Sequence, residues 1–125
     1  MTKIREIVFD CRDAAGLARF WAALLDGYAV RPYDDDEIAR LAEKGLTPET
    51  DPTVMVDGPG PILCFQQVPE PKRAKNQVHL DITVQDRTAE VGRLVELGAS
   101  VLEEFDTWTT MLDPGGNEFC LTEAA

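Results

Sequence analysis

The chain carries an internal repeat, and this repeat limits its fold more than any other feature of the sequence. Residues 6–13 (EIVFDCRD) and residues 79–86 (HLDITVQD) have apolar residues at matching positions, and each stretch ends in an aspartate that can cap a helix. Near the end of each half, residues 57–65 align with residues 113–121, where a turn rich in glycine and proline leads into a short strand. Two copies of one pattern in the same order predict two similar modules in tandem.

Periodicity predicts the elements of module one, which we assign to residues 1–68. Strands are expected at residues 4–11, 28–33, 53–57 and 62–68. Asp13 is expected to cap a helix whose apolar residues recur at helical spacing. The length of this module requires an inserted helix at about residues 36–44, with three side chains directed inward, namely Ile38, Leu41 and Ala42.

Module two is assigned to residues 77–125, after a polar linker at residues 69–76 that two prolines interrupt. Residues 77–84 alternate strictly, which predicts a strand with Val78 on its apolar face. A helix capped by Asp86 follows, with Val91, Leu94 and Val95 directed inward. Further strands are expected at residues 100–105, 108–112 and 118–122. The predicted fold class is α+β, with two tandem βαβββ modules forming a curled mixed sheet within a single domain of residues 1–125.

Strand alternation separates an apolar face from a polar face in each module. The polar faces are expected to carry Glu6, Asp10, Cys64, Gln66, His79, Asp81, Thr83, Glu118, Cys120 and Thr122. So many polar groups on a sheet must contact water or line a cavity. Two such faces side by side would form a cup, and concave surfaces of mixed polarity are where small ligands bind. On this basis Asp10, Gln66, Asp81 and Glu118 are predicted to bind a ligand, together with Trp108, which sits on the strand before the glycine turn.

Composition excludes several classes of function. The chain has 125 residues, 44% of them apolar, which suits one globular domain. Its formal net charge of −11 argues against binding to nucleic acid or to anionic membrane surfaces. No apolar run approaches the roughly 20 residues of a membrane span. Three cysteines, an odd number without paired spacing, argue against a disulfide framework, so a cytoplasmic location is expected.

His79 is the single histidine of the chain and the first candidate for chemistry. Histidine is the side-chain type that titrates near neutral pH, and alternation puts Asp81 on the same face. A carboxylate next to an imidazole holds one tautomer and increases its basicity, which predicts a general base. A structural histidine in a polar network is an equally good interpretation.

Several segments together resemble the vicinal oxygen chelate superfamily, which contains glyoxalase, bleomycin-resistance proteins and extradiol dioxygenases. The resemblance is carried by the paired modules, by residues 78–81 (VHLD) and by residues 113–119 (DPGGNEF). Residues 9–11, 17–21 and 63–66 resemble its glyoxalase-like branch. The likeness covers nearly the whole chain and is specific for the fold, but it does not select a reaction because that fold carries several.

The resemblance implies a set of four metal ligands, since metal-dependent members place one on the first and one on the last strand of each module. In this chain those positions are Glu6, Cys64, His79 and Cys120. Carboxylates are expected where the two cysteines stand. A divalent metal held by this mixed set would be Zn²⁺ rather than a hard ion. Alternatively, the two cysteines are small core residues and the metal site is degenerate.

Three functions remain open from the sequence. The first is a glyoxalase-like protein that binds a small organic ligand in the cup and has a degenerate metal site. The second is a metal-dependent lyase, isomerase or dioxygenase that uses Glu6 and His79 as ligands. The third is a non-catalytic interaction module with a filled cup. The resemblance also implies a homodimer.

Overall fold

The structure, a computed structural model, describes residues 1–124. In chain order its elements are β1 (Glu6–Cys11), α1 (Ala14–Leu24), β2 (Ala29–Val30), α2 (Asp35–Glu43), β3 (Thr53–Asp57), β4 (Ile62–Gln67), β5 (Leu80–Val84), α3 (Arg87–Glu96), β6 (Ser100–Glu104), β7 (Trp108–Leu112) and β8 (Glu118–Glu123). The chain divides into two compact units, the first being Met1–Pro71 and the second beginning at Lys72. The division lies within the predicted linker at residues 69–76.

Module one is a four-stranded mixed sheet in the order β1-β4-β3-β2. The outer strand β1 is parallel to β4, whereas β3 is antiparallel to both of its neighbours. Helix α1 begins where the Asp13 side chain accepts a hydrogen bond from the Gly16 backbone N–H, and it packs against the sheet. The core between them is aromatic, with Phe9 stacked on Phe65 at 4.9 Å between ring centroids and Trp21 fully buried nearby.

Module two repeats this arrangement as a mixed sheet in the order β5-β8-β7-β6. Here β5 is parallel to β8, and β7 is antiparallel to β6 and to β8. The Asp86 side chain caps α3, as the repeat predicts. Leu94 of this helix is fully buried, and so are Met111, Phe119 and Leu121 of the sheet. The α+β fold class and the two βαβββ modules are therefore confirmed.

Two predicted strands are much shorter in the structure. β2 spans only Ala29–Val30, followed by one more ladder hydrogen bond from the Arg31 N–H to the Met55 carbonyl. β5 begins at Leu80 rather than at residue 77, because the Glu118 backbone N–H donates its hydrogen bond to Oδ1 of Asn76, at 3.2 Å, and not to β5. The inward placement predicted for Val78 was wrong, since this side chain is 73% exposed.

The predicted inward faces of two helices also need correction. The inserted helix α2 is present, but none of its residues is buried, so the inward assignment of Ile38, Leu41 and Ala42 was wrong. Its N-terminus is stabilised instead by an Asp34–Glu37 capping box and by acidic residues in the first turn. In α3 only Leu94 is buried, and Val95 is exposed.

Among residues 1–124, no helix combines the length and the apolar character that crossing a bilayer requires. Whether the two modules form a single domain, as expected from chain length, stays a prediction.

Candidate ligand-binding site

Module two contains a cavity of 540 Å³ on the polar face of its sheet. Its lining residues are Lys75, His79, Asp81, Leu102, Glu103, Phe105, Thr107, Trp108, Thr110, Glu118, Cys120 and Thr122. Five of the predicted site residues of this module therefore line the same space, namely His79, Asp81, Trp108, Glu118 and Cys120. This volume falls within the range of small-molecule sites.

His79 and Asp81 face each other across the start of β5. Strand alternation puts Leu80 on the opposite side of the chain, so residues 79 and 81 share the polar face. The Nε2 atom of His79 lies 3.1 Å from Oδ1 of Asp81, which is hydrogen-bond distance. Both side chains are about half exposed or more, at 48% and 66%, so a bound molecule can reach the imidazole.

Cys120 completes a group of three potential metal donors. It is the register partner of Asp81 on the parallel strand β8, and its Sγ lies 3.4 Å from Oγ1 of Thr110. One ligand atom each from His79, Asp81 and Cys120 can be chosen so that all lie within 4.8 Å of one another. Nitrogen, oxygen and sulfur donors together match the preference of Zn²⁺ rather than that of Mg²⁺ or Ca²⁺.

The aromatic wall of the cavity consists of Phe105 and Trp108. Their rings are stacked, with centroids 4.2 Å apart and planes 17° from parallel. The Phe105 backbone N–H donates to the Trp108 carbonyl at 2.8 Å, which closes the turn between β6 and β7. Trp108 remains 38% exposed, so part of its indole is open to the cavity.

Glu118 is held by a cation that the sequence did not indicate. Lys75 Nζ lies 2.6 Å from Glu118 Oε2, and this hydrogen bond is the main cause of the lowered pKa of the Glu118 carboxyl. Lys75 belongs to the segment that was predicted to be a linker. The pair neutralises one carboxylate of the cavity and ties this segment to β8.

Module one brings two other predicted residues together, Glu6 of β1 and Cys64 of β4. Cys64 is 4% exposed, and the Glu6 carboxylate acts on its thiol. Burial, and then the charge of Glu6 and a hydrogen bond to it, raise the pKa of the Cys64 thiol.

The remaining predicted ligand-binding residues also lie on module one. Asp10 and Gln66 are register partners on β1 and β4, and both are exposed. They share the face that carries Glu6 and Cys64. Whether these four residues and the cavity of module two contribute to one site stays a prediction, as does the four-ligand metal set.

Sequence reasoning missed half of the residues that line the cavity, among them Glu103, Phe105 and Lys75. The register of β6 against β7 shifts between Val101 and Glu103, and this irregularity breaks the alternation from which the polar face was predicted. Phe105 and Trp108 flank a two-residue turn, a pattern typical of a cross-strand aromatic pair that would have indicated the aromatic wall. Lys75 lies in a segment without strand or helix periodicity, so no pattern in the sequence predicted its position.

A family model described as a glyoxalase-like domain matches residues 6–122. No curated protein matches the chain significantly.

Several solved structures share the fold. The fosfomycin resistance protein FosX from Mesorhizobium loti superposes with a TM-score of 0.69 at 13% identity, covering 100% of this chain and 94% of that one. FosX from Listeria monocytogenes, an E126Q mutant complexed with Mn(II) and 1S,2S-dihydroxypropylphosphonic acid, gives 0.67 at 11% identity over 98% of this chain and 90% of that one. A glyoxalase/bleomycin resistance protein/dioxygenase family enzyme from Burkholderia phytofirmans gives 0.64 at 14% identity, covering 99% of this chain and 100% of that one. At these identities the likeness shows the fold alone.

Proposed function

The chain belongs to the glyoxalase-like domain family, and from that premise we propose that it binds a small organic molecule in the cavity of module two. The resemblance to the vicinal oxygen chelate superfamily drawn from the sequence is thereby confirmed. The family relationship gives the fold and does not select the ligand, so the proposal depends on this chain's own residues.

One observation carries the proposal. A single cavity brings the stacked rings of Phe105 and Trp108 together with the His79–Asp81 pair. An apolar wall with a few polar groups converging on it is the usual composition of a small-molecule site. The aromatic rings supply contact area, and the polar pair orients what is bound. A cavity of 540 Å³ favours ligand binding over an interaction module whose cup is filled by side chains.

A screen of metabolites and antibiotics for thermal stabilisation tests the proposal. A ligand that binds only the folded protein raises its melting temperature, by an amount that grows with concentration above Kd. Trp108→Leu should abolish the stabilisation by a hit. The matched control is Val101→Ala, a change at another exposed apolar residue on the neighbouring strand that does not line the cavity. Hits that stabilise both variants equally would place binding elsewhere and contradict the proposal.

Within this site we assign His79 as the general base if the bound molecule reacts. Its Nε2 lies 3.1 Å from the Asp81 carboxylate, an arrangement that orients the ring and stabilises the imidazolium formed when a proton is taken up. His79→Asn should then remove turnover while leaving ligand binding largely intact. Loss of binding together with turnover would instead mean that His79 only contacts the ligand.

A second candidate is a metal-dependent lyase, isomerase or dioxygenase, and the cluster of His79, Asp81 and Cys120 favours it. Zn²⁺ bound there would supply Lewis acidity toward substrate oxygens. Metal analysis of protein purified without chelators tests this candidate. One Zn²⁺ per chain, lost in His79→Ala and in Asp81→Asn but kept in Glu6→Ala, would favour a site within module two. Loss in Glu6→Ala would favour the four-ligand set, and absence of metal at every stage would eliminate the candidate.

A further inference from the structure

We propose that the molecule bound in the module-two cavity is an organic cation with a flat aromatic group. This inference rests on the proposed function, because it names the ligand class of the same cavity. It depends on the charges of the lining residues and on the orientation of the two rings.

The lining of the cavity has an excess of negative charge. It contains three carboxylates, from Asp81, Glu103 and Glu118, but a single lysine, Lys75. Lys75 is already bound to Glu118 at 2.6 Å, so this pair contributes no net charge. The negative charges of Asp81 and Glu103 remain, and only a protonated His79 would balance the charge of Asp81.

Glu103 has no ion-pair partner within the part of the chain that the structure describes. It lies on β6 beside Thr110, its register partner on β7, and both residues line the cavity. An anionic ligand would meet this carboxylate and Asp81 unfavourably, whereas a cationic ligand would be attracted by both.

The aromatic wall favours the same class of ligand. The exposed part of the Trp108 indole presents a π-system, and indole attracts cations more strongly than the other aromatic side chains do. Phe105 stacks on Trp108 and holds the ring in place. A flat ring bearing an ammonium group can stack on this wall while its charge lies near Glu103 or Asp81.

Three probes of similar size separate charge from shape: naphthylmethylamine as the cation, naphthalenemethanol as the neutral analogue and naphthoate as the anion. Their affinities are measured by calorimetry at neutral pH with a chelator present, so that no metal ion neutralises the carboxylates. We expect the amine to bind about tenfold more tightly than the alcohol, and the anion to bind most weakly. The advantage of the amine should decrease as ionic strength increases, because these charges are exposed. Equal affinity for the amine and the alcohol, or preference for the anion, would overturn the inference.

Two neighbouring residues provide a matched pair of variants. Glu103→Gln should weaken amine binding about threefold to tenfold and leave alcohol binding unchanged. Glu104→Gln makes the same charge change on the next residue, but Glu104 does not line this cavity, so it should leave both affinities unchanged. Both side chains are exposed, so neither change should prevent folding. An equal effect of the two substitutions would contradict a specific role for Glu103.

The outcomes also separate this inference from the proposed function. Binding of the amine and the alcohol with equal affinity, abolished in Trp108→Leu, would overturn the preference for cations and leave the cavity as the binding site. If none of the three probes binds, the inference is overturned, and the thermal screen described above decides the proposed function independently.

Discussion

The imidazole of His79 and the carboxylate of Asp81 lie 3.1 Å apart at the rim of an open cavity, and both side chains remain substantially exposed. A pair that served only to hold the fold together would be expected to be buried, because exposed ion pairs contribute little stability. This exposure leaves both side chains accessible to a ligand in the cavity.

We therefore predict that His79→Ala leaves the free energy of unfolding within about 0.5 kcal/mol of the wild-type value. The reason is that the side chain is half exposed and buries little apolar surface. Urea denaturation followed by circular dichroism measures the change. A loss of more than about 1 kcal/mol would support the structural interpretation of His79.

The two tryptophans provide a comparison of core and cavity. Trp21 is fully buried against Phe9 and Phe20, whereas Trp108 is 38% exposed. Trp21→Ala should cost about 3–5 kcal/mol of unfolding free energy, a large part of the stability of a small domain. Trp108→Ala should cost less, about 1–2 kcal/mol, because a large part of its surface is exposed. Similar losses in the two variants, measured by denaturant unfolding, would show that Trp108 is a core residue.

Asp113 organises the glycine turn between β7 and β8. It is 3% exposed, and its Oδ1 accepts hydrogen bonds from the backbone N–H groups of Gly115 and Asn117, both at 2.9 Å. Asp113→Ala leaves these donors without their acceptor and should cost about 1–3 kcal/mol. Asp113→Asn keeps one oxygen and should cost less. A loss in the asparagine variant equal to that in the alanine variant would contradict this explanation.

The cysteines should differ in reactivity. Burial raises the pKa of the Cys64 thiol above its ordinary value of 9.0, so less thiolate is present at a given pH and iodoacetamide must also reach a buried atom. Cys120 is more exposed and should be alkylated first. Peptide mass mapping of native protein over increasing pH measures the order. Modification of Cys64 before Cys120 would contradict the environments described here.

Asp57 should contribute to acid sensitivity. Arg31 donates two hydrogen bonds to this carboxylate, at 2.8 and 2.9 Å, and lowers its pKa below the ordinary 3.8. Because the folded pKa lies below the unfolded one, this stabilisation is present above pH 3.8 and decreases as pH falls below it. Asp57→Asn should therefore show a smaller loss of stability on acidification than the wild type does. Asp26→Asn, a change in an exposed loop, should lose as much stability on acidification as the wild type does.

Much of the fold was predictable because the sequence signals are local and repeated. Asp13 and Asp86 occupy equivalent places in the two halves, and each caps its helix as predicted. The repeat also predicted the order in which strands and helices follow one another along the chain in each half. The errors occurred where one local interaction overrides periodicity, as when the Asn76 side chain occupies the Glu118 backbone N–H and shortens β5.

The candidate site was less predictable, because residues from non-periodic segments line it. Alternation predicted His79, Asp81 and Glu118, which lie on regular strands or next to them. It could not predict Lys75, whose contact with Glu118 depends on the path of an irregular segment. Nor could it predict Glu103, since the shift of register in β6 has no signature in the pattern of apolar residues.

The two indole N–H signals in a nitrogen–proton correlation spectrum test the central claim most directly. When a hit from the thermal screen is titrated into the protein, the signal of Trp108 should shift together with the backbone signals of His79 and Cys120. The signal of the buried Trp21 should stay in place. A saturable shift at Trp21 or elsewhere in module one, with Trp108 and His79 unmoved, would contradict binding in the module-two cavity.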